Sequence, residues 1–513
     1  MNTPSKSSGN LYLDGCETSR EAFDEKAKRI ANVLSAAGVE PDQPVAILMR
    51  NDVNYLNVIE ACRYLGSPYV ALNWHASTPE LIHILDDSKA KALIGHASLT
   101  SQFDADLDLD IEIFSISDPV ELAEAYALDV TQDSLHTDLE SLVEEATAIG
   151  VEPKRFRGLF AYTSGSTGRP KGIKRVVNND GADPYLTYAQ LSKNLLMIEP
   201  GDRFYTAAPV YHSAPCGLSV FCIAGGEADL YIASKFDAEG FLADIAKYKI
   251  THCYIVPTMM VRLLKLPREV RDKYDVSSLR YGISSGSPWP ADVKQDMIEW
   301  FGSIFYESYG SSELGFMTLI SSAEALQKPG SVGKVLPGGS IKILDDNHCE
   351  MQAGETGSIF VNLPTFGDFS YTNAEGDLGG QRFQGFSTVG DVGYLDEDDY
   401  LFINGRNKEM IISGGANIFP AEIESELIKM PEVLDCAVFG APHDEFGEMV
   451  AAVQTSRADL SVDEIRHFLE SRIARFKLPK KLDIHQTLPR EDSGKIFKQR
   501  LREPYWEGRK VKI

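Results

Sequence analysis

TSGSTGRPKG, residues Thr163 to Gly172, lies between an apolar run, GLFAY from Gly158 to Tyr162, and a basic stretch, KGIKR. Its three glycines, four hydroxyls and one lysine suit it to an anion. Glycine lets backbone N–H groups turn inward at little steric cost. Hydroxyls and an ammonium then add donors and charge for a polyphosphate. The arrangement is not the Walker loop, because GxxxxGK[ST] is absent and Lys171 follows Arg169-Pro170 and precedes Gly172. A glycine- and serine-rich surface turn would not need this density of features, so the segment is read as a phosphate-binding loop.

A chain of 513 residues exceeds what one core usually supports, so two or more domains are expected. Apolar stretches such as GLSVFCIAGG from Gly217 are too short to span a bilayer. MNTPSKSSGN at the start lacks a basic-then-apolar leader pattern. Seven dispersed cysteines with no CxxC spacing predict reduced thiols in a cytoplasmic setting, without a disulfide frame or zinc site. A net charge of −25 argues against sequence-independent nucleic-acid binding. The charge is uneven: Arg472 to Ile513 carries 13 Lys/Arg against 5 Asp/Glu, +8 against −33 elsewhere. That segment is either a solvated face or a surface that meets the phosphates of a small ligand.

Apolar and polar residues alternate in a βαβ cadence through the first half. PVAILM (Pro44 to Met49) predicts a buried strand, NYLNVIEACRYLG (Asn54 to Gly66) a helix, and SPYVAL (Ser67 to Leu72) a second strand. ADIAKYKITHCYIVP (Ala243 to Pro257) repeats the pattern, so the fold class is α/β with parallel sheet. DADLDLD (Asp104 to Asp110) reads as a solvated loop that lacks the glycine and terminal glutamate of a calcium loop. Near the C-terminal third, Asp396 to Asp399 is an acidic turn, Tyr400 to Ile403 a strand, and Asn404-Gly405 a hairpin signal.

Further segments follow in order: YGSSE (Tyr309 to Glu313), GETG (Gly354 to Gly357), STVGDVGYLD (Ser387 to Asp396), NGRNKEMIISGGANIFPAEIE (Asn404 to Glu424) and PREDSGKI (Pro489 to Ile496). With the loop, this series resembles the AMP-forming adenylating enzymes, which include acyl-CoA synthetases, peptide-synthetase adenylation domains and firefly luciferase. The resemblance covers nearly the whole chain. Ser312 stands where the family's YGxTE has threonine, a change that keeps the hydroxyl. The resemblance implies a large N-terminal domain, 1–406, of mixed and parallel sheets flanked by helices. A small mobile α+β lid, 407–513, would follow, with a pivot at Lys408.

The implied chemistry is activation of a carboxylate, a poor electrophile, by attack on the α-phosphate of ATP. Acyl-adenylate and pyrophosphate form, and a thiol then displaces AMP. Charge develops on phosphate oxygens, so such a site needs fixed donors and cations more than acid–base groups. By resemblance Lys495 bridges carboxylate and α-phosphate, Glu313 holds Mg²⁺ with Thr163 as a second ligand, and His212 in PVYHSAP gates the acid pocket. Ser164, Gly165, Ser166, Thr167, Gly168 and Lys171 complete the phosphate cradle. Ser285, Gly286 and Ser287, in SSGSP where the family has GGAP, line the adenine slot. Ser308, Tyr309, Gly310, Ser311 and Ser312 line it too, with Tyr309 as a stacking face. Asp391 would accept hydrogen bonds from both ribose hydroxyls, as an acceptor-only carboxylate can. Arg406 adds charge there or forms a structural ion pair at the domain junction. Rotation about Lys408 would bring Ser413, Gly414, Gly415 and Ala416 to the pantetheine channel. Phe446 and Phe476 either meet the adenine of coenzyme A or belong to a core.

The function expected is therefore an AMP-forming carboxylic acid–CoA ligase with ATP, Mg²⁺, coenzyme A and a small-molecule acid as partners. A homodimer is compatible with this. The alternatives are a stand-alone adenylation enzyme that loads a carrier protein's pantetheine arm, and a sensor or oxidative enzyme that keeps the fold. No carrier-type serine motif follows Lys495, which favours free coenzyme A. Tyr211, Cys216, Val220, Met259, Met260, Phe316 and Met317 make the expected pocket walls apolar, and no acidic residue offers itself to an α-amino group. Medium- or long-chain, bulky aliphatic, aryl and steroid side-chain acids remain open. NWH (Asn73 to His75) and GRPKGIKR resemble bacterial fatty-acyl and steroid-acyl ligases.

Overall fold

The computed structural model describes residues 9–103, 109–128, 135–148, 150–163, 170–176, 182–287, 289–372, 381–413, 416–443, 447–456, 460–489 and 496–507. The chain divides into two compact units. The first is Met1–Gly286 with Gln295–Met317 and Leu363–Leu378, and the second is Ser287–Lys294 with Thr318–Asn362 and Gly379–Ile513.

In the first unit the expected cadence is present. Val45–Leu48, the helix Val53–Leu65 and Tyr69–Ala71 form a βαβ unit with parallel strands. Asp52 caps the helix by accepting from the Asn54 N–H, and Gly66 ends it at φ +73°, the left-handed conformation favoured after a last turn. The helix is buried on nearly every side, Glu60 included. That buried carboxylate is paired with Arg63 and accepts from the Tyr185 hydroxyl at 3.0 Å, as a charge out of water must. The helix Ala238–Tyr248 and the strand His252–Tyr254 repeat the unit.

Two sheets organise this unit. One runs Asp368–Tyr371, Lys171–Val176, Leu159–Thr163, Tyr69–Ala71, Val45–Leu48, Ala92–His96, Glu112–Ile116, Thr137–Asp138. It is parallel from Leu159–Thr163 onward, and its first two strands are antiparallel additions. Leu48, Val70, Leu81, Leu93, Phe103 and Phe160 form the core on one of its faces. The other contains Asp229–Ile232, Arg203–Thr206, His252–Tyr254, Tyr281–Ser284 and Phe305–Glu307, all parallel.

Buried Asn51, just beyond Val45–Leu48, ties the two sheets together. It accepts from the Val210 N–H at 2.9 Å and donates to the carbonyls of Ala208 and Ala233 at 3.1 and 2.9 Å. Those three residues follow the strands Arg203–Thr206 and Asp229–Ile232 of the second sheet.

The second unit holds an antiparallel ladder of Ser331–Val335, Leu401–Arg406, Asp391–Leu395, Gly357–Asn362 and Ser340–Leu344. It also holds a sheet of Ala416–Ile418, Ile411–Ser413, Gly447–Ser456 and Val433–His443, with Lys481–His485 parallel to Gly447–Ser456. Helices Pro420–Leu427 and Val462–Glu470 cover this sheet around Ile411, Ile418, Ile423, Leu427, Val438 and Leu469. One expectation fails here. Asn404-Gly405 is not a hairpin turn but part of the strand Leu401–Arg406. Val392 pairs with Gly405 and Gly393 with Ile403, so Asn404 is the extra residue of a bulge. The turn is the acidic segment, where the Asp399 N–H donates to the Asp396 carbonyl. Lys328 pairs with both Asp396 and Asp398 of this turn.

Asn51→Ala strands three buried backbone groups and is expected to cost about 1–3 kcal/mol for each. A lowered unfolding midpoint in a denaturant titration followed by tyrosine and tryptophan fluorescence checks this.

Candidate functional site

Parallel pairing brings the ends of neighbouring strands to one edge. Tyr254 stands beside Ile283, and Ser284 beside Glu307. The Ser308 N–H donates to the Ser284 carbonyl at 2.9 Å. Ser284 to Gly286 and YGSSE, far apart in sequence, therefore leave the sheet side by side at its carboxyl edge, where open α/β sheets bind ligands. The Tyr254 hydroxyl lies 3.2 Å from the Ser285 hydroxyl, and Gly286 turns at φ +91°. Ser287 belongs to the second unit.

YGSSE folds into a tight hairpin. Gly310–Ser311 pairs with Gly315–Phe316, and a three-residue loop, Ser312-Glu313-Leu314, forms the tip. Gly315 at φ +73° closes the loop, as a left-handed residue does after a three-residue hairpin turn. At Gly310 a Cβ would lie 2.5 Å from the Gly315 carbonyl oxygen, so the position admits no side chain. Ser308 is buried, and Tyr309, Gly310, Ser311 and Ser312 are half-buried.

Glu313 stands at the tip, half-buried. Its Oε1 accepts from the Tyr371 hydroxyl at 3.1 Å, and among the described residues its Oε2 accepts no hydrogen bond. The Ser312 hydroxyl is 3.1 Å from that of Ser213, the first residue of the helix Ser213–Gly225. His212 occupies the N-cap of that helix, its carbonyl accepting from the Cys216 N–H at 3.0 Å and its ring 4.2 Å from that of Tyr211. The structure thus brings His212 and the YGSSE tip together. A carboxylate with one oxygen anchored and one open fits a hard cation whose other ligands are phosphate oxygens and water. No cluster of three or more metal-ligating side chains occurs among the described residues.

The loop itself, Ser164 to Arg169, lies outside the described residues. Its flanks are antiparallel partners, Thr163 opposite Lys171, so it connects two adjacent strands. Lys171 is exposed. Gly172 is forced by close packing: a Cβ would come within 2.6 Å of Phe160 and 2.9 Å of Thr372.

Within the second unit, Asp391 is buried and pairs in register with Arg406, whose Nε donates to Asp391 Oδ1 at 3.2 Å. Arg406 remains half-exposed. Lys408 lies in the short turn Asn407–Glu409 that follows. Lys498 pairs with Glu409 of this turn at 3.1 Å and with Glu424 at 3.0 Å, so part of the basic terminal segment is neutralised within its own unit. Lys495, Gly414, Gly415 and Phe446 lie outside the described residues. Phe476 is 51 % exposed, which removes the core reading for it. All seven cysteines are free thiols. Burial pushes Cys216 up to about 12 and Cys62, Cys222 and Cys253 upward as well, so none of these four is a nucleophile at neutral pH.

Two side chains at this edge were not anticipated as site residues. Arg175 donates to the carbonyls of Ser312 and Glu313, and Tyr371 holds the Glu313 carboxylate. Arg175 was visible only as one member of a basic stretch, and Tyr371 lies outside every quoted motif.

Residues 8–366 match the AMP-binding enzyme family, and residues 422–495 match the AMP-binding enzyme C-terminal domain. A feruloyl-CoA synthase of Amycolatopsis sp is 32% identical over 508 residues, 96% of this chain and 94% of the relative. The long-chain-fatty-acid–CoA ligase FadD13 of Mycobacterium tuberculosis is 30% identical over 486 residues, 93% of this chain and 91% of the relative. Among solved structures, the O-succinylbenzoate coenzyme A synthetase (MenE) of Bacillus subtilis, in complex with ATP and magnesium ion, superposes with a TM-score of 0.79. It is 26% identical and covered over 96% of each chain. The family match and these relatives define the class as an ATP-dependent, AMP-forming acid–CoA ligase. The chain belongs to the AMP-binding enzyme family. Among the described residues no helix is long and apolar enough to cross a membrane.

Gly310→Ala should push the Ser312-Glu313-Leu314 tip outward while leaving both sheets intact. Misplacing a positioned group by about 1 Å costs about 10²-fold in rate. Acid-dependent pyrophosphate release should fall by that order with little change in the circular dichroism spectrum.

Proposed function

We propose that this ligase activates an apolar acid, bulky aliphatic or aryl, and that its two half-reactions use the residues named above in turn. The observation that carries the acid class is the buried apolar set beside the YGSSE tip. Cys216 and Val220 project from the helix that His212 caps, and Phe221 of the same helix lies 6.2 Å from Phe316 and 4.9 Å from Tyr188. Phe316 in turn lies 6.4 Å from Phe366. Met259, Met260 and Met317 are buried in the same unit. Walls of this composition select by shape, each methylene being worth about 1–3 kcal/mol. Feruloyl-CoA synthase and the long-chain ligase bracket the aryl and aliphatic options.

In adenylation, His212 shapes the entrance, and the N-terminus of its helix favours the carboxylate by its positive end. Glu313, with Thr163, would hold the cation that accompanies the nucleotide, and the Thr163–Lys171 loop would cradle phosphates. Ser285, Gly286, Ser287 and Tyr309 receive the adenine, and Asp391, oriented by Arg406, receives the ribose. Lys495 stabilises the charge developing on the α-phosphate. The lid 407–513 then turns about Lys408, withdrawing Lys495 and presenting Gly414 and Gly415 to the pantetheine arm, with Phe446 and Phe476 near the adenine of coenzyme A.

AMP release measured over a panel of aryl, medium-chain, long-chain and steroid side-chain acids tests the acid class. Preference for short polar or amino acids overturns it. Lys495→Ala should abolish adenylate formation and spare thiolysis of a supplied adenylate. Equal loss of both steps removes its assigned role. Lys408→Pro should hold one lid orientation and uncouple the two steps, whereas normal rates for both would place the pivot elsewhere.

A further inference from the structure

Along the strand Lys171–Val176 side chains alternate between faces. The ammonium of Lys174 sits 5.1 Å above the Phe160 ring, and Arg175 points to the other face. There its Nη2 donates to the Ser312 carbonyl at 2.9 Å, and its Nη1 donates to the carbonyls of Glu313 and, at 3.5 Å, Phe366. Hairpin tips leave carbonyls without ladder partners, and these two flank the α-carbon of Glu313. A guanidinium is a planar fork that can hold two such acceptors at once. The adjacent strand Asp368–Tyr371 places Phe369 opposite Arg175 and Tyr371 opposite Ile173. Arg175 and Tyr371 therefore share one face of the sheet as diagonal neighbours. One grips the backbone on both sides of Glu313, and the other grips Oε1 of its carboxylate.

The charge of Arg175 is itself informative. Among the described residues no carboxylate forms an ion pair with it. Burial lowers its pKa, while Tyr188 and Glu313 favour the charged form. A half-buried cation held by neutral carbonyls is costly compared with an apolar side chain at a strand position. Simple packing does not account for it, whereas holding a tip that must not move does.

We propose that Arg175, assisted by Tyr371, is a positioning residue that fixes the Glu313 carboxylate for the magnesium that accompanies ATP. This rests on the reading of Glu313 as the metal ligand.

The test compares Arg175→Met, Arg175→Lys, Tyr371→Phe and Glu313→Gln in the full chain. Pyrophosphate release is titrated with Mg²⁺ at fixed ATP, alongside thiolysis of supplied acyl-adenylate and the thermal midpoint. Partners that orient a ligating group cost about 10- to 100-fold in metal affinity when removed. Arg175→Met should raise the Mg²⁺ needed for half-maximal adenylation by that factor and leave thiolysis nearly unchanged. Arg175→Lys should recover part of the loss, because an ammonium still donates to one carbonyl, and Tyr371→Phe should shift the curve less in the same direction. A lowered midpoint with unaltered Mg²⁺ dependence in Arg175→Met makes the residue purely structural and overturns the proposal. If Arg175→Met does not fold, unaltered Mg²⁺ dependence in both Arg175→Lys and Tyr371→Phe overturns it instead. Glu313→Gln separates the two readings. A shifted curve there with none in the Arg175 and Tyr371 variants sinks only the positioning role, and an unshifted curve in Glu313→Gln sinks the metal assignment beneath it.

Discussion

The 2.9 Å hydrogen bond from the Ser308 N–H to the Ser284 carbonyl holds the first unit's site in register. It closes the parallel ladder between Tyr281–Ser284 and Phe305–Glu307 at the point where both chains leave the sheet. A slip of one residue would turn every side chain to the opposite face. Gly286 and the YGSSE hairpin would then no longer start from the same edge. The placement of Tyr309, Ser312 and Glu313 therefore depends on backbone pairing that none of these side chains makes.

Around that edge the unit is built by close approach. Gly310 and Gly172 each sit where a Cβ would collide with a carbonyl oxygen or a packed ring. The tip that Gly310 allows is held by donors, Arg175 on its carbonyls and Tyr371 on its carboxylate. Phosphoryl chemistry calls for such fixed donors and charges rather than proton shuttles.

Local signals were readable where the physics is local. The strand expected over Pro44 to Met49 and the helix expected over Asn54 to Gly66 are present as Val45–Leu48 and Val53–Leu65. The acidic turn at Asp396 to Asp399 was visible for the same reason, since the Asp396 carboxylate accepts from the backbone N–H groups of Asp398 and Tyr400. Asn404-Gly405 misled because turn propensity counts only the residues present. It cannot count the partner strand, against which Asn404 is the surplus residue of a bulge. The salt bridge of Arg406 to Asp391 is the ion pair that the sequence offered as one of two roles for Arg406.

Motif order alone determined the enzyme class and the nucleotide, because that chemistry is carried by short contiguous segments whose residue types are constrained. Tertiary structure decided which side chains hold those segments still. Asn51 joins two sheets through residues more than 150 positions away, and Arg175 reaches Ser312 across 137 positions. A one-dimensional pattern has no term for contacts that exist only once distant strands have paired, so the supports of the site became visible only in three dimensions.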